Sequence, residues 1–264
     1  MIKVDAVSKH FGGVRAIDNA SFEIAEGSIT GLIGPNGAGK TTMFNTIAGL
    51  YTPTSGRVLL QGEDTSSLEP HQLFHKGLLR TFQLAHEFST MSVLENLMMV
   101  PPNQLGENIV NSWLRRSAIA QQEKEVRRKA EEVIEFLKIG HVAHELAGNL
   151  SGGQKKLIEL GRTMMVDAKI VLLDEVGAGV NRTLLGEIGD AILRLNKERG
   201  YTFCMIEHDM DFIARLCDPV IVMAEGRVLA QGTASEVTNN EEVIEAYLGR
   251  GLKNKDKIGS GVQS

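Results

Sequence analysis

The sequence predicts an α/β protein: a mainly parallel sheet, an antiparallel β region at the amino end and a helical segment inserted between. Three observations carry this. SITGLIG, IVLLD and the start of TFCMIEHD are short apolar runs of the kind found in strands buried on both faces. MIKVDAV and ASFEIA alternate apolar and polar residues, the period of half-buried strands. EKEVRRKAEEVIEFLKIG places its apolar residues three and four apart, which gives one apolar stripe on a charged helix.

Taken in order, MIKVDAV and ASFEIA are strands, and SITGLIG is a buried strand that runs directly into a glycine-rich loop. TTMFNTIAGL reads as a helix stopped near Gly49, and TSGRVLLQGED as a turn followed by another strand. From about Val93 to Gly140 the pattern is helical, with Val126, Ala130, Val133, Ile134 and Leu137 on the apolar stripe. Before it, MMVPPNQLGENIVNSWLRRS holds Pro101, Pro102 and Gly106 and reads as a loop plus a short helix. IVLLD and TFCMIEHD bracket a helix whose apolar face is Leu184, Ile188, Ala191, Ile192 and Leu195. PVIVMAEGRVLAQG predicts a hairpin turning at Glu225-Gly226. The expected organisation is one domain over 1–249, with a helical subdomain at about 90–165 inserted in the α/β core. A disordered tail rich in Gly, Lys and Ser is expected over 250–264.

Hydrophobic residues make up 42% of the 264 positions and charged residues 23%, the balance of a globular protein with a sizeable core. The net charge of −5 disfavours a nucleic-acid partner, since phosphate neutralisation supplies most of that affinity. No run approaches the roughly 18 consecutive apolar residues of a membrane helix, and MIKVDAVSKHF lacks a signal-peptide core. The chain is therefore expected in the cytoplasm unless a membrane partner recruits it. Cys204 and Cys217 form no CxxC or CxxH pattern, so neither a metal nor a redox site is expected of them.

The strongest chemical signal is Gly34-Pro35-Asn36-Gly37-Ala38-Gly39-Lys40-Thr41, which fits G-x-x-x-x-G-K-[ST] between a strand and a helix. Its glycines let backbone N–H groups wrap an anion, Lys40 supplies a point charge to β and γ phosphates, and Thr41 offers a hydroxyl to Mg²⁺. Thr42 adds a hydroxyl beside them. IVLLDE then ends an apolar strand in Asp174, at the sheet edge where open α/β sheets bind ligands. Asp174 is placed to hold Mg²⁺ through water, and the adjacent Glu175 to polarise an attacking water. In IEHD, His208 follows another apolar strand; it either hydrogen-bonds a γ-phosphate or the attacking water, or is a surface histidine, and the residue alone favours the second. Gln83, in LLRTFQLAHEF, offers a carbonyl and an amide but reads by itself as a loop glutamine. Phe11 is either a core aromatic or a stacking platform for a base, and its surroundings in the sequence do not choose. LSGGQKKLIEL adds two glycines and a hydroxyl at a second helix start, again suited to an anion, but without a lysine or a metal-binding hydroxyl.

GPNGAGKTT, TFQ, LSGGQ, IVLLDE and IEHD, in that order, resemble the ATP-binding subunit of an ABC transporter, and the resemblance spans about Ile2 to Gly249. It implies a P-loop ATPase core with ATP and Mg²⁺ as ligands. It implies roles for Gln83 as the sensor glutamine near the metal, His208 as the switch histidine and Phe11 as the adenine platform. In this family two copies pack head to tail, so each ATP lies between one phosphate loop and the other copy's LSGGQ, here Ser151, Gly152, Gly153 and Gln154. That accounts for two phosphate cradles in one chain, each incomplete. A helical subdomain carrying LSGGQ also accounts for the separation of Lys40 from Asp174, far beyond the ~30 residues of a plain strand–loop–helix–strand unit. One departure stands out: Val176 and Val180 occupy positions where the family usually has proline and leucine. Loss of the proline removes a fixed φ, which predicts a looser loop, while Glu175 and Asn181 are retained.

RTFQLAHEFSTMSVLENLMM, the long insert, IEHDM, LCDPVIVMAEGRVLAQGT and VIEAYLG resemble the subgroup that imports branched-chain and other hydrophobic amino acids; importers of urea and amides share much of this. The resemblance implies a second ATP-binding subunit, either a copy or a paralogue, transmembrane permease subunits and, indirectly, a solute-binding protein. It places the chain peripherally on the cytoplasmic face of the inner membrane. Two other classes stand beside it. A soluble ABC-type ATPase acting on nucleic acid or ribosomes tends to have two such domains or a long coiled coil, neither of which is present. A simple P-loop kinase has no use for LSGGQ.

Overall fold

The computed structural model describes residues 1–81, 87–102, 104–107, 113, 115–166 and 168–248. The chain divides into two compact units: Met1–Arg80 with Ile170–Glu175 and the chain from Asn196 onward, and Thr81–Lys169 with Val176–Leu195.

In the first unit, β1 (Ile2–Phe11), β2 (Val14–Ile24), β4 (Ser55–Leu60) and β5 (Glu63–Asp64) form an antiparallel sheet in the order β2-β1-β4-β5. The alternation in MIKVDAV places Ile2, Val4 and Val7 in the core. A second sheet contains β3 (Ile29–Ile33), β6 (Leu78–Arg80), β7 (Ile170–Asp174), β8 (Thr202–Ile206), β9 (Val220–Ala224) and β10 (Arg227–Gly232), in the order β10-β9-β3-β8-β7-β6. β9, β3, β8, β7 and β6 run parallel, and only β10 is antiparallel to its neighbour. Every residue of β3, β7 and β8 is buried, as continuous apolar runs require in a sheet covered on both faces. The hairpin turns where expected, with Glu225 and Gly226 both at positive φ (50° and 81°), as a two-residue turn of matching twist demands.

α1 (Lys40–Ile47) follows the glycine loop and buries Met43, Phe44 and Ile47 in the core; Gly49, at φ 75°, lies just past its end. α2 (Pro70–His75) precedes β6, α7 (Met210–Leu216) follows β8, and α8 (Ala234–Thr238) follows β10. Residues 241–248 are helical.

The second unit is helical: α3 (Val93–Met98), α4 (Arg116–Phe136), α5 (Gly152–Met165) and most of α6 (Arg182–Arg199). α3, α4 and α5 pack on one another. The predicted stripe of α4 is buried at Ala130, Val133 and Ile134 and continues to Leu137 just beyond its end. On α6, Ile188, Ala191, Ile192 and Leu195 are buried as expected, with Leu185 beside them. Part of the stretch read as a loop plus short helix lies outside the described residues; Leu105–Glu107 within it form a 3₁₀ turn. The tail from Gly249 also lies outside them. The α/β fold expected from the sequence, with its antiparallel amino-terminal sheet, its mainly parallel second sheet and its helices, is the fold observed.

Candidate nucleotide site

The glycine loop connects β3 to α1. Its first residue, Gly34, has φ 146°, and a Cβ there would lie 2.0 Å from the carbonyl oxygen of Met223, so only glycine brings the loop this close to β9. Lys40 opens α1 and is buried; its Nζ donates to the carbonyl oxygens of Gly34 (2.7 Å) and Pro35 (3.1 Å). Asn36, Gly37 and Thr41 are exposed, Ala38 is buried, and Pro35, Gly39 and Thr42 lie between these extremes.

Asp174 ends β7 and is buried. Arg80, at the end of the neighbouring β6, donates from Nη2 to Asp174 Oδ2 at 2.7 Å. Nη1 of the same guanidinium donates to Oδ1 of Asn45 on α1. Glu175 follows with φ 50°, an uncommon conformation for a residue with a side chain, and its N–H donates to the carbonyl of Ile206 at 2.9 Å. His208 lies two residues past β8, and its Nε2 is 3.1 Å from Glu175 Oε1. With the ring proton on Nε2, the imidazole donates to the carboxylate. β3, β8 and β7 are adjacent and parallel, so the glycine loop, His208 and the Asp174–Glu175 pair all extend from the same sheet edge. Val176 is buried at 5% exposure.

Phe11 ends β1 with 44% of its surface exposed; it is not a core residue. Tyr51 meets it edge-on with ring centroids 5.2 Å apart, and Lys9 Nζ lies 5.2 Å from its centroid. Gln83 lies outside the described residues.

In the second unit, Ser151 caps α5. Ser151 and Gln154 form a reciprocal capping box in which the Ser151 N–H donates to Gln154 Oε1 at 2.9 Å and the Gln154 N–H donates to Ser151 Oγ at 3.4 Å. The N–H groups of Gly152 and Gly153 belong to the first helical turn, where no intrahelical acceptor exists, so they remain suited to an anion. A Cβ on Gly153 would lie 2.2 Å from Leu184 Cδ2 and 2.9 Å from Val180 Cγ1. Val180, a departure from the family pattern, thus packs against the second glycine of LSGGQ. Further along, Lys155 Nζ pairs with Glu87 at 2.6 Å, and Arg162 donates to Asn96 Oδ1 at 2.8 Å.

The residues present fit a phosphate chain and Mg²⁺. The loop encloses a buried ammonium satisfied by its own carbonyls, an exposed hydroxyl follows at Thr41, and a buried carboxylate stands at the end of a nearby strand. Among the described residues, no group of three or more His, Cys, Asp or Glu side chains is placed to hold a metal. Mg²⁺ is commonly held by one or two carboxylates together with substrate phosphates, which needs no such cluster. Neither Arg80 with Asn45 nor Leu184 with Gly153 figures in the motif reading, because both contacts join segments far apart in the chain; the only local sign is a charge closing the apolar run LLR.

A family model described as ABC transporter matches residues 17–178, and the chain belongs to that family. A second model, described as branched-chain amino acid ATP-binding cassette transporter, matches residues 227–253. The chain is 40% identical over 253 residues to the probable branched-chain amino acid transport ATP-binding protein LivG of Archaeoglobus fulgidus, covering 94% of this chain and 95% of the relative. It is 34% identical over 249 residues to the high-affinity branched-chain amino acid transport ATP-binding protein BraF of Pseudomonas aeruginosa, covering 94% and 98%. Among solved structures it is similar to the ADP conformation of an ATP-binding cassette of an ABC transporter, with TM-score 0.80, 36% identity, and coverage of 94% of this chain and 98% of that one.

Proposed function

We propose that this chain is the ATP-hydrolysing subunit of a membrane importer for branched-chain amino acids, working in a pair at the cytoplasmic face of the inner membrane. The observation that carries the reading is the shared sheet edge: the glycine loop, Asp174, Glu175 and His208 extend from three adjacent parallel strands, with His208 Nε2 3.1 Å from Glu175 Oε1. The relatives' names support the transported class, and no described helix is long and apolar enough to cross a membrane, in keeping with separate permease subunits.

The loop from Gly34 to Gly39 presents to the phosphates the backbone N–H groups of its residues other than Pro35, which has none, Lys40 adds its charge, and Thr42 adds a hydroxyl. Phe11, half exposed beside Tyr51, offers its face to the adenine. Thr41, Asp174 and Gln83 would hold Mg²⁺, which when bound neutralises charge on the phosphates. Glu175 accepts the proton of the attacking water, and His208 orients that carboxylate. Ser151, Gly152, Gly153 and Gln154 supply N–H and hydroxyl donors without a cation. They therefore complete the site of a second ATP-binding subunit, copy or paralogue, rather than forming one alone. The helical segment of about 90–165 carries them as a subdomain. Closure of the pair on ATP shifts the population between open and closed forms, and the region from Gln83 to Glu95 passes it to the permeases, which a solute-binding protein supplies.

Glu175→Gln tests the assignment. Turnover is expected to fall by about 10²–10⁴-fold, the scale of a lost general base, while ATP binding measured by fluorescence is retained. Normal hydrolysis in that variant would remove Glu175 from the mechanism.

A further inference from the structure

We infer that Arg80 is a positioning residue that acts as a resident counter-ion for Asp174, so that this carboxylate takes a divalent cation only together with nucleotide phosphates; this rests on the reading of Asp174 as a metal-holding group. The carboxylate is buried and the guanidinium largely so, at 6% and 10% side-chain exposure, and the two are joined at 2.7 Å. Arg80 is also tied to Asn45, which lies four residues past Thr41 on α1 and so shares a helix face with it. One planar fork therefore connects the helix that follows the phosphate loop to the strand end that carries the metal carboxylate. Among the described residues Arg80 Nε is buried and has no hydrogen-bond partner, so there the fork is held by these two acceptors.

Two consequences follow from the charge. A fixed cation beside Asp174 repels a free divalent ion and occupies one of its oxygens, so the carboxylate alone is a poor metal site. Phosphates add the negative charge that outweighs Arg80. Because the same fork holds Asn45, Asp174 is kept in register with α1 whether or not a metal is present. Arg80 also ends β6, three residues before Gln83 in the chain, so the segment bearing the sensor glutamine leaves from the residue that grips Asp174.

The test is Mn²⁺ titration of the nucleotide-free protein, read by electron paramagnetic resonance, on wild type, Arg80→Gln, Arg80→Lys and Arg80→Gln/Asp174→Asn, with folding checked by circular dichroism. Arg80→Gln is expected to bind Mn²⁺ about tenfold or more tightly than wild type, from loss of one adjacent positive charge. The double variant should lose that gain. Arg80→Lys gives up the planar fork but keeps the charge, so its affinity should stay closer to wild type than to Arg80→Gln. A folded Arg80→Gln protein with wild-type Mn²⁺ affinity overturns the inference. Should Arg80→Gln fail to fold, the equally uncharged Arg80→Met decides: an affinity above wild type supports the counter-ion, and an unchanged one overturns it. Binding of a fluorescent ATP analogue to Asp174→Asn separates the two layers. If its Mg²⁺ requirement equals that of wild type, the metal reading of Asp174 fails. If the requirement rises while the Arg80 variants leave Mn²⁺ binding unchanged, only the role of Arg80 fails.

Discussion

Gly153→Ala places a methyl group where the structure has no room. The new Cβ would lie 2.2 Å from Leu184 Cδ2, 2.7 Å from Leu184 Cγ and 2.9 Å from Val180 Cγ1. Rotating one Leu184 methyl away does not relieve the second contact, so Leu184 as a whole and Val180 must shift. Overpacking of this kind costs about 1–3 kcal/mol. Replacing glycine by alanine within a helix returns at most about 1 kcal/mol. The net expectation is a loss of about 1–2 kcal/mol, or roughly 2–6 °C in melting temperature for a chain of this size. Differential scanning calorimetry on wild type, Gly153→Ala, Leu184→Ala and the double variant measures it. Leu184→Ala removes the obstacle, so the cycle should show a favourable coupling of about 1 kcal/mol or more. A Gly153→Ala protein as stable as wild type, or a coupling near zero, would refute the claim that the start of α5 is packed against Val180 and Leu184.

Two further outcomes follow from burial and charge. Burial pushes the Cys217 thiol up to about 12, with the Glu207 carboxylate adding to it, and burial together with Cys217 raises Cys204 as well. A thiol reagent at pH 8 should therefore modify neither cysteine in the native protein and both after denaturation; a fast native thiol would contradict their place in the core. Burial alone would raise the Glu87 carboxyl, but the hydrogen bond from Lys155 and the charges of Lys155 and Arg162 outweigh it and hold the group below its usual range. A depressed carboxyl contributes stability above its unfolded value and loses it as pH falls through its folded value. Wild type should therefore melt above Glu87→Gln at pH 7, with the gap closing below the usual glutamate range; a gap constant with pH would argue against the ion pair.

What the sequence made legible was local. The glycine loop could be read because all its donors lie within a few residues of one another, and β3, β7 and β8 because strands buried on both faces need unbroken apolar runs. The Glu225-Gly226 turn could be read because a glycine between two apolar runs suits a tight turn that needs positive φ, here adopted by both residues. His208 and Gln83 took on meaning only from resemblance, since a strand-end histidine and a loop glutamine have no pattern of their own. Arg80 could not be read at all. Its partners Asn45 and Asp174 come from other parts of the chain, and only the register of β6 against β7 brings that charge to that carboxylate. The Val180 substitution gained a meaning only in three dimensions, where it fills space against Gly153.

Mixing Lys40→Ala with Gly152→Asp protein tests the central claim, that each chain holds two halves of different sites. Each variant alone should be nearly inactive, because every site in its pair lacks one half. In an equimolar mixture about half the pairs are mixed and each has one intact site, so ATPase activity should recover to about a quarter of wild type. In protein shown by light scattering to pair with itself on ATP, a mixture no more active than its components would contradict the account.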